Sequence, residues 1–241
     1  MRCPGERSNW QEDRVKHAHS SEPTAELDNA LKFRTISRVK QSIVTLDMEG
    51  VLTPEIWIAT AEKTGIEELK LTTRDIPDYD VLMQGRLKVL GKHGLKLSDI
   101  QEVIGTLEPL EGAVEFLREL RLFAQVVILS DTFEQFAQPL IRQLEWPTVL
   151  CHTLEIVDDR VVHYRLRMPD QKRCAVAAFK SLNYHVIAAG DSFNDTTMLA
   201  EANAGFLFRA PASIQAQFPQ FQAFEGYNDL ISAIRKSATS A

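Results

Sequence analysis

From Gln41 onward, apolar residues fall into two alternating kinds of run. SIVTLDM (42–48), QVVILSD (125–131), HVIAAGD (185–191) and AGFLF (204–208) are short aliphatic stretches, most of them ending in acid, and they read as buried strands. Between them apolar residues recur at helical spacing in EGAVEFLRELRLF (111–123), FEQFAQPLIRQL (133–144), DQKRCAVAAFKSL (170–182) and NDTTMLAEA (194–202). Strand–helix alternation of this kind implies βαβ units and a doubly wound, mostly parallel sheet, an α/β fold. In LEIVDDRVVHYRLR, Asp158 and Asp159 stand between two alternating runs, which predicts a β-hairpin added to that core.

Two regions break the pattern. Residues 54–108 carry helical periods only, in PEIWIATAEKTG, YDVLMQGRLKVLGKHG and SDIQEVIGTL, with Gly65 and Gly94 where helix C-caps are wanted. A helical insert after the first strand reads as a small cap over the sheet, so the catalytic core is expected at 41–53 and 109–241. Residues 1–40 are polar, mix both charges and show no sustained period, as expected of a disordered extension. Leu27, Ala30, Leu31 and Arg34 share one helical face there, with no obvious partner. No internal repeat is evident.

Composition narrows the class. The chain has 241 residues, 44% hydrophobic and 25% charged, enough to bury a real core. Its net charge is −6, and since the first 40 residues hold eight basic against six acidic side chains, the body is more acidic still. That argues against nucleic acid as a partner, because phosphate backbones need a basic surface. The densest apolar run, VVIL at 126–129, is far below the roughly 20 residues a spanning helix needs, and no secretory signal pattern opens the chain. The expectation is a cytoplasmic protein with no membrane partner. Cys3, Cys151 and Cys174 are widely spaced, so neither a disulfide framework nor a zinc site is indicated, and Cys151 and Cys174 are expected to be small buried residues.

The chemistry collects at strand ends. Asp47 and Glu49 follow the first strand, Ser130 and Asp131 end the second, and Asp191, Asn194 and Asp195 follow a third. Ligands bind at the carboxyl edge of an open parallel sheet. Acids converging there beside Gly50 and Gly190 suit a hard cation such as Mg²⁺. Any one of these acids alone is better explained as a cap of the next helix; three strand ends together are not.

In these positions D-M-E-G-V (47–51), Ser130 after VVIL, Lys172 and GDSFND (190–195) resemble, in order, the four motifs of the haloacid dehalogenase-like phosphatases. The resemblance spans about 41–241 and implies a Rossmann-like core. LDMEGVLTPEIWIATAEKTG, TTRDIPDYDVLMQ and LSDTFEQFAQPLIRQL resemble, within that superfamily, a branch that hydrolyses phosphoserine and passes the phosphoryl group to homoserine. Glu49 in place of the superfamily's second Asp fits this branch, which carries D-x-E.

The resemblance implies a set of roles. Asp47 is the nucleophile and Glu49 the general acid/base. Mg²⁺ is held by Asp47, Asp191 and the backbone carbonyl of Glu49, with Asp195 in support. Ser130, the backbone N–H of Asp131 and Lys172 bind phosphoryl oxygens, and Asn194 sits near the substrate. Arg173 is the rival of Lys172, but as its helix neighbour it points elsewhere. Glu55 pairs with the substrate ammonium and Arg86 with its carboxylate; without the resemblance, Glu55 reads as a first-turn acid and Arg86 as a solvated helix residue. His152, His163 and His185 lie in strand-like runs without ligand spacing and read as structural. Asp75, Asp78 and Asp80 read as turn and N-cap residues. Serine biosynthesis is the implied setting and a homodimer is left open. A phosphatase for another small metabolite and an inactive phosphate-binding regulator stand as the alternatives.

Overall fold

The computed structural model describes residues 40–240 except 74 and 77. Of the expected 1–40 extension all but Lys40 lies outside these residues, the Leu27–Arg34 face included.

Strand β1 (Ser42–Leu46) lies at the centre of the sheet. On one side follow β2 (Gln125–Phe133), β3 (Thr148–Val157) and β4 (Arg160–Arg165); on the other lie β5 (His185–Gly190), β6 (Ala204–Phe208) and β7 (Gln222–Phe224). Every pairing among the described strands is parallel except β3 with β4. The chain winds outward from β1 through β2 to β4, then crosses to β5 on the other side of β1. The winding therefore reverses between β1 and β5, and the crevice beyond their carboxyl ends is where such sheets bind ligands.

The two faces are covered by different helices, and the period of two along each strand sorts the side chains between them. Val186 and Ala188 of β5 pack with Val176 of α6 (Gln171–Ser181) and with Met198 and Leu199 of α7 (Thr196–Glu201). Ile187 and Ala189 join the larger core on the opposite face. There Phe116 of α4 (Ala113–Arg121), Phe136 of α5 (Glu134–Gln143) and Leu230 of α9 (Tyr227–Thr239) are buried. A shorter helix, α8 (Ala212–Gln217), precedes β7.

The expected helical insert comprises α1 (Ile56–Thr64), a 3₁₀ turn at Glu67–Lys70, α2 (Tyr79–His93) and α3 (Leu97–Gly105). Gly65 and Gly94 close α1 and α2 as C-caps, and the Asp78 carboxylate accepts the Asp80 and Val81 N–H groups at the start of α2. The insert does not form its own core. Ile56, Met83, Leu90, Ile100 and Ile104 belong to the same buried cluster as Leu46 and Phe136, and Trp57 meets Phe136 edge-on at 5.3 Å between centroids.

The hairpin differs in one respect from the expectation of an addition to a finished core. β3 runs through both structures: Thr148–Leu150 and His152 pair in parallel with β2, and Thr153–Val157 pair antiparallel with β4. Its turn, with Asp158 at φ 49° and Asp159 at φ 62°, then reaches the insert. The Asp159 carbonyl accepts the Leu97 N–H at 2.8 Å, and its carboxylate accepts the Ser98 N–H at 3.1 Å and the Ser98 hydroxyl at 2.6 Å. Tyr164 donates its hydroxyl to Asp80 at the head of α2. Cys151 and Cys174, expected to be buried, are only half-buried.

Candidate active site

The first strand delivers Asp47 and Glu49 to one side while Met48 between them is fully buried in the core. The loop behind them is tight: Gly50, Leu52 and Thr53 N–H groups donate to the Thr53, Met48 and Met48 carbonyls at 2.8–3.0 Å. Gly50 has φ +77°, and a Cβ there would lie 2.5 Å from the Asp191 carboxyl, so only glycine lets the β1 loop approach that acid. Gly190 plays the same part beside Asp195, where a Cβ would lie 2.4 Å from the carboxyl carbon.

Lys172 occupies the centre of the site. It sits in the first turn of α6, is 3% exposed, and its Nζ lies 2.9 Å from Asp47 Oδ1, 2.7 Å from Asp195 Oδ1 and 3.6 Å from Asp131 Oδ2. Burial alone would drive its proton off; Asp195, Asp47 and Asp131 more than offset this and raise its pKa well above the ordinary lysine value. Arg173, its neighbour, turns outward and pairs with Asp170.

The acids are crowded. Asp47, Asp191 and Asp195 each bring a carboxylate oxygen within 4.8 Å of the others. Burial and then Asp195 hold Asp47 well above the usual carboxylate range, with Lys172 opposing. Burial, then Asp195 and Glu55, pushes Asp191 up to about 7. Asp195 is fully buried and already engaged: its Oδ2 accepts the Asp191 and Ser192 N–H groups at 3.1 Å and the Ser192 hydroxyl at 3.0 Å. Negative charge on hard oxygen ligands that one lysine offsets only in part fits a divalent cation of the Mg²⁺ kind.

Glu49 faces the same space. The Ile56 N–H at the start of α1 donates to its Oε2 at 2.8 Å. Burial, with Glu55 nearby, pushes it up to about 7 against the pull of that bond and of Arg86. Ser130 is buried in the second half of β2, where the β2–β3 register shifts, and its Oγ accepts the Thr132 N–H at 3.2 Å. Asp131 next to it accepts from Asn194 Nδ2 at 2.8 Å and Gln171 Nε2 at 3.2 Å, and His152 Nε2 faces it at 3.5 Å. Despite its burial, Lys172, His152, Asn194 and Gln171 hold Asp131 below the ordinary carboxylate range.

Asp47, Glu49, Ser130, Asp131, Lys172, Asp191 and Asn194 line a cavity of about 140 Å³, with Glu55 and Arg86 on the insert's wall. That is room for a small metabolite, well below the roughly 300–1,000 Å³ of drug-sized pockets. Arg86 is buried, not solvated: its guanidinium lies 4.6 Å over the Trp57 ring and Nη2 donates to the Leu71 carbonyl at 2.8 Å. Nη1 reaches only the Met83 sulfur at 3.7 Å, and Nε is buried without a partner among the described residues. Burial lowers its pKa to about 10. A wider groove of about 730 Å³ adjoins the cavity and shares Tyr79, Asp131, Lys172 and Asn194 with it.

A nucleophile-sized acid on a switch-point strand, a buried lysine and a cation-ready acid cluster point in one direction, and a family model described as haloacid dehalogenase-like hydrolase matches residues 42–203. The chain belongs to the haloacid dehalogenase-like hydrolases. It is 69% identical over 189 residues to the phosphoserine phosphatase ThrH of Pseudomonas aeruginosa, covering 78% of this chain and 92% of that one. It is 61% identical over 210 residues to a phosphoserine phosphatase of Pseudomonas syringae pv. tomato, covering 86% of this chain and 88% of that one. Among solved structures, a substrate-bound phosphoserine phosphatase complex superposes with a TM-score of 0.66 at 17% identity, covering 80% of this chain and 98% of that one. This last likeness is one of fold.

Asp47, Glu49, Glu55, Arg86, Ser130, Asp131, Lys172, Asp191 and Asn194 thus line one cavity, with Asp195 buried behind Lys172 and Arg173 turned away. Thr132 and Tyr79 also line it, Gln171 lines the adjoining groove, and none of these three was singled out. Gln171 precedes Lys172 in the same helical turn, and its amide donates to the Ser130 carbonyl at 2.9 Å. Thr132 is two residues beyond Ser130 and helps hold the Glu49 pKa down; the period of two was the signal available for it. Tyr79 donates to the Asp131 carbonyl at 3.1 Å across 52 residues, and no local pattern announces that.

Proposed function

We propose that this protein is a Mg²⁺-dependent phosphoserine phosphatase that works through an aspartyl phosphate on Asp47 and also passes the phosphoryl group to homoserine. The observation that carries this reading is Asp47 paired with buried Lys172 inside an acid cluster, in a chain so similar to the two Pseudomonas phosphatases. The 54–108 insert acts as the cap and 41–53 with 109–241 as the core.

The Asp47 carboxylate attacks phosphorus as the bond to the serine oxygen breaks, and Glu49 protonates that oxygen. A carboxyl group poised near 7 suits both halves of the cycle, since it must next take the proton of the incoming hydroxyl. Water or homoserine then attacks phosphorus, and Asp47 is released. Ser130, the Asp131 backbone N–H and Lys172 hold the phosphoryl oxygens where charge shifts in the transition state. Asp47, Asp191 and the Glu49 carbonyl would hold Mg²⁺, which offsets the repulsion between carboxylate and phosphate. Asp195, with both oxygens already taken, supports Lys172 and the Asp191 loop from behind.

The amino-acid part falls to the insert. Glu55 receives the ammonium and Arg86 the carboxylate, and the underused Nη1 and Nε hydrogens of Arg86 support that assignment. Homoserine carries the same two groups as serine, so it docks with its hydroxyl beside the phosphoryl group and competes with water through proximity.

The test is a panel of phosphorylated metabolites with purified protein, with and without EDTA. Phosphoserine should be the best donor, chelation should silence it, Mg²⁺ should restore it, and added homoserine should yield phosphohomoserine. Arg86→Ala should weaken both amino acids more than p-nitrophenyl phosphate. A markedly better donor of another kind, or turnover that resists chelation, would overturn the assignment; phosphoserine cleavage without phosphohomoserine would leave a plain phosphatase.

A further inference from the structure

His152 lies in the part of β3 that pairs with β2, opposite Phe133, and is 3% exposed between the rings of Phe133 and Tyr79. The Arg167 backbone N–H donates to its Nδ1 at 3.1 Å, so that nitrogen carries the lone pair and the ring proton belongs on Nε2. Nε2 faces Asp131 Oδ1 at 3.5 Å. A second donor reaches the same oxygen from Gln171 Nε2 at 3.2 Å, and the Gln171 amide is itself oriented by Arg167 Nη2, 2.7 Å from its Oε1. Arg167 thus sets both groups that hold Oδ1. The other oxygen, Oδ2, takes Asn194 Nδ2 at 2.8 Å and faces Lys172 at 3.6 Å.

We propose that His152 is a positioning residue: fixed as the Nε2–H tautomer by Arg167, it locks the Asp131 carboxylate so that Oδ2 holds Asn194 at the substrate. The inference rests on the reading of this site as the one that binds phosphoserine. A carboxylate beside the seat of a phosphate dianion is harmful unless its charge is turned aside and spent on donors. Two donors on Oδ1 prevent the rotation that would bring that charge onto the phosphate or pull Lys172 away from it. A histidine needed only for packing has no reason to aim its one N–H at this carboxylate, whose other oxygen carries a substrate-facing side chain.

The experiment compares phosphoserine hydrolysis by the full chain in Mg²⁺ for wild type, His152→Phe and His152→Gln. Phe keeps the ring volume and removes both nitrogens, whereas Gln keeps an N–H donor. We expect Phe to raise KM severalfold, less than a full hydrogen bond to a charged group because the N–H to carboxylate contact is long, with kcat within about threefold. Gln should recover most of that loss. In an Asn194→Ala background the Phe change should add little, because the tether it controls is already gone. An unchanged KM, a loss in kcat alone, equal behaviour of Phe and Gln, or full additivity with Asn194→Ala would each overturn the proposal. If His152→Phe does not fold, nitrogen NMR of the wild type carries the test: the His152 ring proton must sit on Nε2, and a proton on Nδ1 refutes the arrangement. Failure of wild type on phosphoserine overturns the substrate reading instead, and the same comparison then runs on p-nitrophenyl phosphate, whose phosphoryl group meets Asp131 and Lys172 in the same way.

Discussion

Gly50→Ala separates the cation site from the fold. Alanine at φ +77° costs about 1–2 kcal/mol of backbone strain. In a domain of this size that lowers Tm by only a few degrees. The larger effect is local. The new Cβ would stand 2.5 Å from the carboxyl carbon and one oxygen of Asp191 and 2.8 Å from the other. Restoring ordinary contact moves the carboxyl by about 1 Å. Mg²⁺ tolerates no such shift, because it requires oxygens at about 2.0–2.1 Å in near-ideal geometry. Displaced supporting groups in metal sites cost about 10–100-fold in affinity, and a displaced ligand should cost at least that. The assay is phosphoserine hydrolysis titrated with Mg²⁺, beside a thermal melt in EDTA. The half-saturating Mg²⁺ concentration should rise about 10–100-fold while the EDTA melt moves little. An unchanged Mg²⁺ requirement would refute the claim that this glycine exists to admit Asp191.

Further outcomes follow from the proposed mechanism. Asp47→Asn should abolish turnover and leave the circular dichroism spectrum and melt intact, since it removes a negative charge from a crowded buried cluster and almost no volume. Glu49→Gln should lower kcat by about 10²–10⁴-fold while phosphoserine still binds, as measured by steady-state kinetics and calorimetry. Lys172→Met should eliminate activity and destabilise the protein in a melt, because it leaves buried carboxylates without their common partner; Arg173→Ala, on the exposed side of the same turn, should change neither.

The alternating strands and helices and the insert after β1 were legible because each is written in local periodicity: four aliphatic runs, four amphipathic stretches and a segment with helical spacing only. Asp47, Ser130 and Asp191 were legible for a related reason, since each directly follows such a run and strand ends meet at one edge of a parallel sheet. Elements α8, β7 and α9 were not read. β7 has three residues, too few for a period, and α8 has six. Nor did the sequence reveal that β3 serves both sheet and hairpin, because the change of partner at Thr153 is set by β2 ending at Phe133, not by any residue of β3 itself. His152 read as structural for the same reason. Its role depends on Arg167 and Asp131, which arrive from different elements, and single-chain spacing carries no trace of that meeting.

The pairing register explains why so much chemistry can be encoded by so few residues. β1 and β5 pair from Ser42 with His185 to Leu46 with Ala189, and the Asp47 N–H then donates to the Ala189 carbonyl at 3.0 Å. That alignment alone brings the acids that follow each strand, Asp47 and Asp191, to adjacent positions at the switch point. A slip of one residue would send each strand's buried set to the wrong face, so the register is held by the whole hydrophobic core. The acids therefore sit close together at the expense of stability that the core supplies. Lys172 relieves part of the repulsion by pairing with Asp47, Asp131 and Asp195. Asp191 is outside that trio; burial, then Asp195 and Glu55, raise its carboxyl to about 7 against a smaller pull from the lysine. The unmet charge thus lies on the acid that faces the Gly50 loop and the cavity. A divalent cation held there by Asp47 and Asp191 would complete the balance and lower the repulsion that a phosphate dianion meets at this site.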